Sequence, residues 1–148
     1  MGTRSMTSTR AEGSLVPPAV MDLLARSDAE LVAATLASAP DEILVHAHLS
    51  ALRAGAALVE SRGRPGGRPA PRTVWDMVSA LAPALAPWCA FFAGNAAARS
   101  AAEAGRGEWI DGDRADQVLA AAEDFQDAVR AELGAGASAQ GRLALRAS

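Results

Sequence analysis

At 148 residues the chain has the length of one domain, and a chain of this size buries roughly two thirds of the surface that its unfolded form exposes. Alanine dominates, Tyr is absent and only two Ile occur, so helix is favoured and a large β-sheet is excluded. A net charge of −3 and a pI near 5.3 exclude the global basic field of a typical nucleic-acid binder, so any such site must be local.

Residues 1–16 are rich in Ser, Thr, Gly and Arg and nearly devoid of apolar side chains, which predicts a disordered tail ahead of a domain spanning 17–134. Pro17 and Pro18 suit the entry to a first helix that carries Val20, Leu23, Leu24, Leu31 and Val32 and stops near Pro40. Ser27 and Glu30 have the spacing of an internal capping box, which would allow a break there. Asp41 and Glu42 place negative charge where the macrodipole favours it, at the start of a second helix running to about Arg62. Its main stripe is Val45, Leu49, Leu52, Ala56 and Val59, with Leu44, Ala51, Gly55 and Leu58 beside it. Only Glu42, His46, Ser50, Arg53 and Glu60 remain as a polar strip, so this helix is central in its bundle or also faces a partner.

The segment from Arg62 to Arg72 alternates Arg with Gly and Pro and is predicted to be a flexible basic loop. Thr73, with Asp76 three residues on, suits the N-cap of a third helix bearing Val74, Val78, Leu81, Leu85, Trp88 and Phe92. That phase survives Pro83 and Pro87, which predicts one helix kinked or split there and extending to about Ala104. Asp111 or Asp113 can cap a last helix bearing Ala115, Val118, Ala122, Phe125 and Val129, which Gly134 would end, leaving 135–148 as a disordered tail. The expected fold is therefore all-α: an antiparallel up-and-down bundle of four main helices.

Chemistry is harder to find. There is no P-loop, no Gly-x-Gly-x-x-Gly, no Cys-x-x-Cys and no His-Glu-x-x-His, and no cofactor or metal is expected. His46 and His48 are two apart, so on one helix they point about 200° apart and cannot share a metal. His48 falls within the apolar arc and is expected either to hydrogen-bond a neighbouring helix or to stand at a pocket or dimer seam. Cys89, among Trp88, Phe91 and Phe92, is expected to be a buried, inert thiol. Arg62, Arg64, Arg68 and Arg72 form the one concentrated positive charge, and removing these four from a net charge of −3 leaves −7. All fourteen basic residues are Arg, so the residue type alone is no sign of selection for phosphate. No stretch approaches the roughly 18 apolar residues of a membrane span, and the expected location is cytoplasmic.

The strings His-Leu-Ser-Ala-Leu-Arg-Ala-Gly-Ala-Ala at 48–57, Val-Trp-Asp-Met-Val at 74–78 and Ala-Pro-Ala-Leu-Ala-Pro-Trp-Cys-Ala-Phe-Phe-Ala at 82–93 occur in that order, with the Arg/Pro-rich loop between the first two. Together they resemble the small stand-alone actinobacterial branch of the HEPN (higher eukaryotes and prokaryotes nucleotide-binding) superfamily. The resemblance implies a four- to five-helix bundle, often a dimer, whose relatives bind or cut RNA or act in defence and toxin systems. It also implies, for nuclease members, an Arg followed after four to six residues by His. This chain departs from that pattern: Ala39, Pro40 and Asp41 precede His46, and Asp41, Glu42 and Ile43 precede His48, at the required spacings. No catalytic residue carries over. The reversed pair His48 and Arg53 points about 140° apart on one helix. The expected function is a non-catalytic helical domain that self-associates and binds RNA, a nucleotide or a protein partner. Its contact residues would be Arg62, Arg64, Arg68 and Arg72, with His48 and Arg53 beside them. The alternatives are a divergent ribonuclease with a composite dimer site and a purely structural interaction module.

Overall fold

The computed structural model describes residues 16–66 and 73–147, and among them every regular element is helical. Residues 1–15 of the expected N-terminal tail, together with Arg68 and Arg72, lie outside the described residues.

Helix α1 spans Pro18–Leu36, entered through an extended Pro17 with Pro18 at its start, where a missing N–H costs nothing. Its buried line is Val20, Ser27 and Ala34, spaced by seven, while Leu23, Leu24 and Leu31 are half-buried and Val32 is 58% exposed. No break occurs at Ser27. Its hydroxyl donates to Ser50 O at 2.8 Å, and the Glu30 carboxylate holds His46 Nδ1 at 2.7 Å, so the side chains of the expected capping box bridge to the next helix instead.

Helix α2, Pro40–Arg62, has Asp41 and Glu42 in its first turn and packs against every other helix. Of the expected stripe only Val59 is buried, with Leu52 packed against the core from its edge. Val45, Leu49, Leu52 and Ala56 are only half-buried, whereas Leu44, Ala47, His48, Ala51, Ala54 and Leu58 are sealed. Ser50, placed by the helical wheel on the polar strip, is fully buried against Ser27. The buried arc joins two kinds of contact: Ser50 meets Ser27 of α1 through hydrogen bonds, with small Ala47, Ala51 and Ala54 beside it, while Leu44, His48 and Leu58 supply bulk to the core. A Cβ added to Gly55 would stand 3.4 Å from Val78 Cγ2.

Helix α3, Val74–Leu81, is capped by Thr73, whose hydroxyl accepts the Asp76 N–H at 3.2 Å. The chain leaves helical geometry at Ala82 (φ −141°, ψ 81°) and makes a 3-10 turn over Pro83–Leu85 before α4, Ala86–Glu103. The third helix is thus split, because Pro83 and Pro87 each sit at the opening of a new segment, where a proline is tolerated. Gly105, with φ 75°, turns the chain after α4. Asp111 accepts the Arg114 N–H at 2.8 Å and so starts α5, Gly112–Ala147.

Gly134 does not end α5. The helix continues to Ala147 in place of the expected loose tail after residue 134. Each Gly there disfavours helix by about 1 kcal/mol relative to Ala, but alanines alternate with the glycines and no Pro blocks the ladder.

Paired contacts give the directions. Ser27 meets Ser50 and Glu30 meets His46, so α1 and α2 are antiparallel. His48 meets Phe92 and Arg62 meets Leu81, so the α3–α4 segment runs back along α2. Asn95 meets Arg114 while Trp88 meets Phe125, which makes α4 and α5 antiparallel. The common core joins Trp75, Phe92 and Phe125, with Trp75 stacked on Phe92 at 5.2 Å. A polar knot lies beside it: Ser27 accepts from Gln126 Nε2 at 3.0 Å, and Gln126 also reaches Asp28 at 2.8 Å.

Candidate functional site

His48 is 1% exposed, enclosed edge-on by the rings of Trp75 and Phe92, both 5.7 Å away between centroids. Nε2 lies 3.1 Å from Phe92 O, so the ring uses its single N–H there and presents a bare Nδ1 on the other side. That Nδ1 is buried without a hydrogen-bond partner. Burial pushes the pKa of His48 below its ordinary value, outweighing the bond to Phe92 O, so the ring is held neutral. A neutral imidazole sealed by aromatic rings cannot reach the phosphodiester of a bound nucleic acid.

Arg99 of α4 lies within electrostatic range of this ring and opposes its protonation. Its Nη1 donates to Glu103 at 2.9 Å, while Nε is buried without a partner. An Arg and a His do therefore approach each other within the chain, but from two helices. The sequence reading missed Arg99, although it follows Phe92 by seven residues and so stands on the same helical face. Asn95, between them on that face, is bound to Arg114 Nη2 at 3.0 Å and to Phe91 O at 2.9 Å.

The expected contact residues separate in space. Arg62 is occupied: it donates to Leu81 O and Glu132 O, both at 3.1 Å, and pairs with the Glu132 carboxylate at 2.9 Å, tying α2 to α5. Arg53 is half-buried on the outward strip of α2, seven residues before Glu60. Arg64, by contrast, is exposed and lines a cleft of about 380 Å³. Leu23, Val59, Val74 and Met77 give that cleft apolar walls, and Glu60 and Arg64 stand at its polar side. The cleft opens where α2 leaves the bundle and the arginine-rich loop begins.

Elsewhere, Cys89 is 2% exposed and burial raises its pKa, which keeps the thiol protonated. Among the described residues, no group of His, Cys, Asp and Glu has the arrangement to hold a metal ion, and no helix is long and apolar enough to cross a membrane.

The model of the SAV_6107-like HEPN family matches residues 34–130, about two thirds of the chain, from the end of α1 to the middle of α5. No curated protein matches the chain, and no solved structure does.

Proposed function

This chain belongs to the HEPN superfamily, and on that premise we propose that it is a non-catalytic member that binds single-stranded RNA at the α2–α3 end and self-associates through the outward face of α2. The observation that carries the binding half is the cleft that Arg64 lines at the end of α2. Its apolar walls suit the face of a base, and Arg64 at the rim suits a phosphate. Arg68 and Arg72 follow within the same basic stretch and supply further phosphate contacts, whereas Arg62 is committed to Glu132.

Three phosphate contacts on a single strand correspond to a logarithmic salt slope of about −2, so binding should be weak and salt-sensitive. Fluorescence anisotropy of a labelled single-stranded RNA at low and moderate salt tests this. Saturable binding that disappears in the Arg64→Glu/Arg68→Glu/Arg72→Glu variant, with unchanged circular dichroism, supports the assignment. Undiminished binding by that variant refutes it.

The absence of catalysis rests on the burial of His48 and on the missing Arg-x4-6-His spacing. Cleavage of RNA by the purified protein, abolished in His48→Ala, would overturn it. The self-association half rests on Val45, Leu49 and Leu52, an apolar row at coiled-coil spacing that the chain's own helices leave half-buried. Sedimentation should show a dimer that Leu49→Glu converts to monomer; a wild-type monomer at high concentration would remove this half.

A further inference from the structure

A second groove, of about 580 Å³, lies between the opening of α4 and the middle of α5. Pro87, Trp88 and Phe91 form its aromatic wall, and Ala121 and Asp124 its other side. Both rings are half-buried: Trp88 leans on Phe125 at 6.4 Å and Phe91 on Phe92 at 5.3 Å, so they are anchored in the core while still lining the groove. Asp124 is exposed and has no hydrogen bond or ion pair within the described structure.

Asp124 is the one charged residue that lines the groove. The helix that bears it is acidic as a whole: Asp113, Asp116, Glu123 and Asp127 are also exposed, Glu123 toward α1, and the only basic residue between 113 and 127 is Arg114. Arg114 is already held by Asn95 and lies over the Trp109 ring at 5.1 Å. An apolar aromatic wall beside an unpaired carboxylate attracts a cation borne on an apolar stem, since the ring faces and the carboxylate favour the same charge. Phosphate would be repelled, so this face does not serve the RNA reading.

We propose that the Trp88/Phe91/Asp124 groove docks an arginine- or lysine-bearing apolar segment of a protein partner. The aliphatic stem and its apolar neighbours lie against Pro87, Trp88 and Phe91, the cationic head pairs with Asp124, and the acidic helix α5 steers the approach. The inference is independent of RNA binding at the opposite-signed loop.

The test is a nuclear magnetic resonance titration of the full chain with a synthetic helical peptide carrying Leu and Arg on one face, against the same peptide with Gln for Arg. The expected result is shifts concentrated on the Trp88 indole and the Phe91, Ala121 and Asp124 amides, with the Arg peptide bound about tenfold more tightly. Asp124→Asn should erase that preference while leaving RNA anisotropy unchanged. Equal affinity for both peptides, shifts that avoid the groove, or no shift at about 1 mM peptide would overturn the proposal.

Discussion

Replacing His48 with Phe probes both the stability of the core and the claim that this histidine does no chemistry. In the wild type the ring gains one bond of 3.1 Å to Phe92 O and leaves Nδ1 unpartnered. Such a bond contributes about 1 kcal/mol net, whereas a buried unsatisfied acceptor costs about 1–3 kcal/mol, so the polar balance alone favours the substitution. Fitting a larger ring between Trp75 and Phe92 opposes it by about 1–3 kcal/mol. Near pH 7.5 the two effects should leave the stability close to that of the wild type. The pH dependence is sharper. Burial lowers the pKa of His48, so below about pH 6.5 the unfolded chain binds a proton that the folded chain refuses. The contribution of His48 is complete above about pH 6.5 and declines as pH falls toward the folded value, by at most about 1.4 kcal/mol per unit. His48→Phe has no such loss. Urea unfolding followed by circular dichroism at several pH values between about 7.5 and 5 should show the variant gaining on the wild type as pH falls. Parallel pH profiles would refute the reasoning, as would a variant of unaltered stability that no longer binds RNA.

Further expectations concern packing. Gly55→Ala places a methyl at ordinary contact distance, 3.4 Å from Val78 Cγ2, and should raise stability by about 0.5–1 kcal/mol through helix propensity. Gly107→Ala sets its Cβ 3.0 Å from both Ala102 Cα and Asp41 Cβ and should lower stability by about 1–3 kcal/mol; thermal unfolding of the pair should move in opposite directions. Ser27→Ala strands a buried Gln126 N–H and should cost about 1–3 kcal/mol. Combined with Gln126→Leu it should cost less than the sum of the two single changes in urea unfolding, and strict additivity would mean the knot does not act as a unit. Cys89 should resist a thiol reagent such as Ellman's in the folded protein and react fully in urea, and rapid reaction without denaturant would contradict its burial.

The candidate site was only partly legible in the sequence. The arginine cluster stood out as a run of charge, but charge patterning gives no account of which arginine is already paired. Arg62 and Arg64 look alike two residues apart, yet Glu132, seventy residues from Arg62, takes one and leaves the other beside the cleft. The cleft itself had no signal, because Leu23, Val59 and Met77 come from three helices. The Trp88/Phe91/Asp124 groove was hidden for the same reason, since Trp88 and Phe91 read as core-type residues and Asp124 comes from a different helix.

The helices and their starting points were set largely by the sequence itself. Pro18, Pro40, Thr73 and Asp111 start them through local sterics and side-chain caps that need no partner, and Pro83 and Pro87 mark the split for the same local reason. Which face each helix buries was decided by tertiary contact. An almost uniformly apolar α2 offers several faces of similar hydrophobicity, and periodicity alone cannot rank them. The ranking came from partners on other helices: Ser27 of α1 bonds Ser50, Phe92 O of α4 bonds His48, and the side chains of Val74, Val78 and Phe125 close over Gly55. Bulk did not decide the matter, since Leu44 and Leu58 are sealed while Val45 and Leu49 are only half-buried; what decided it was which residues the neighbouring helices reach.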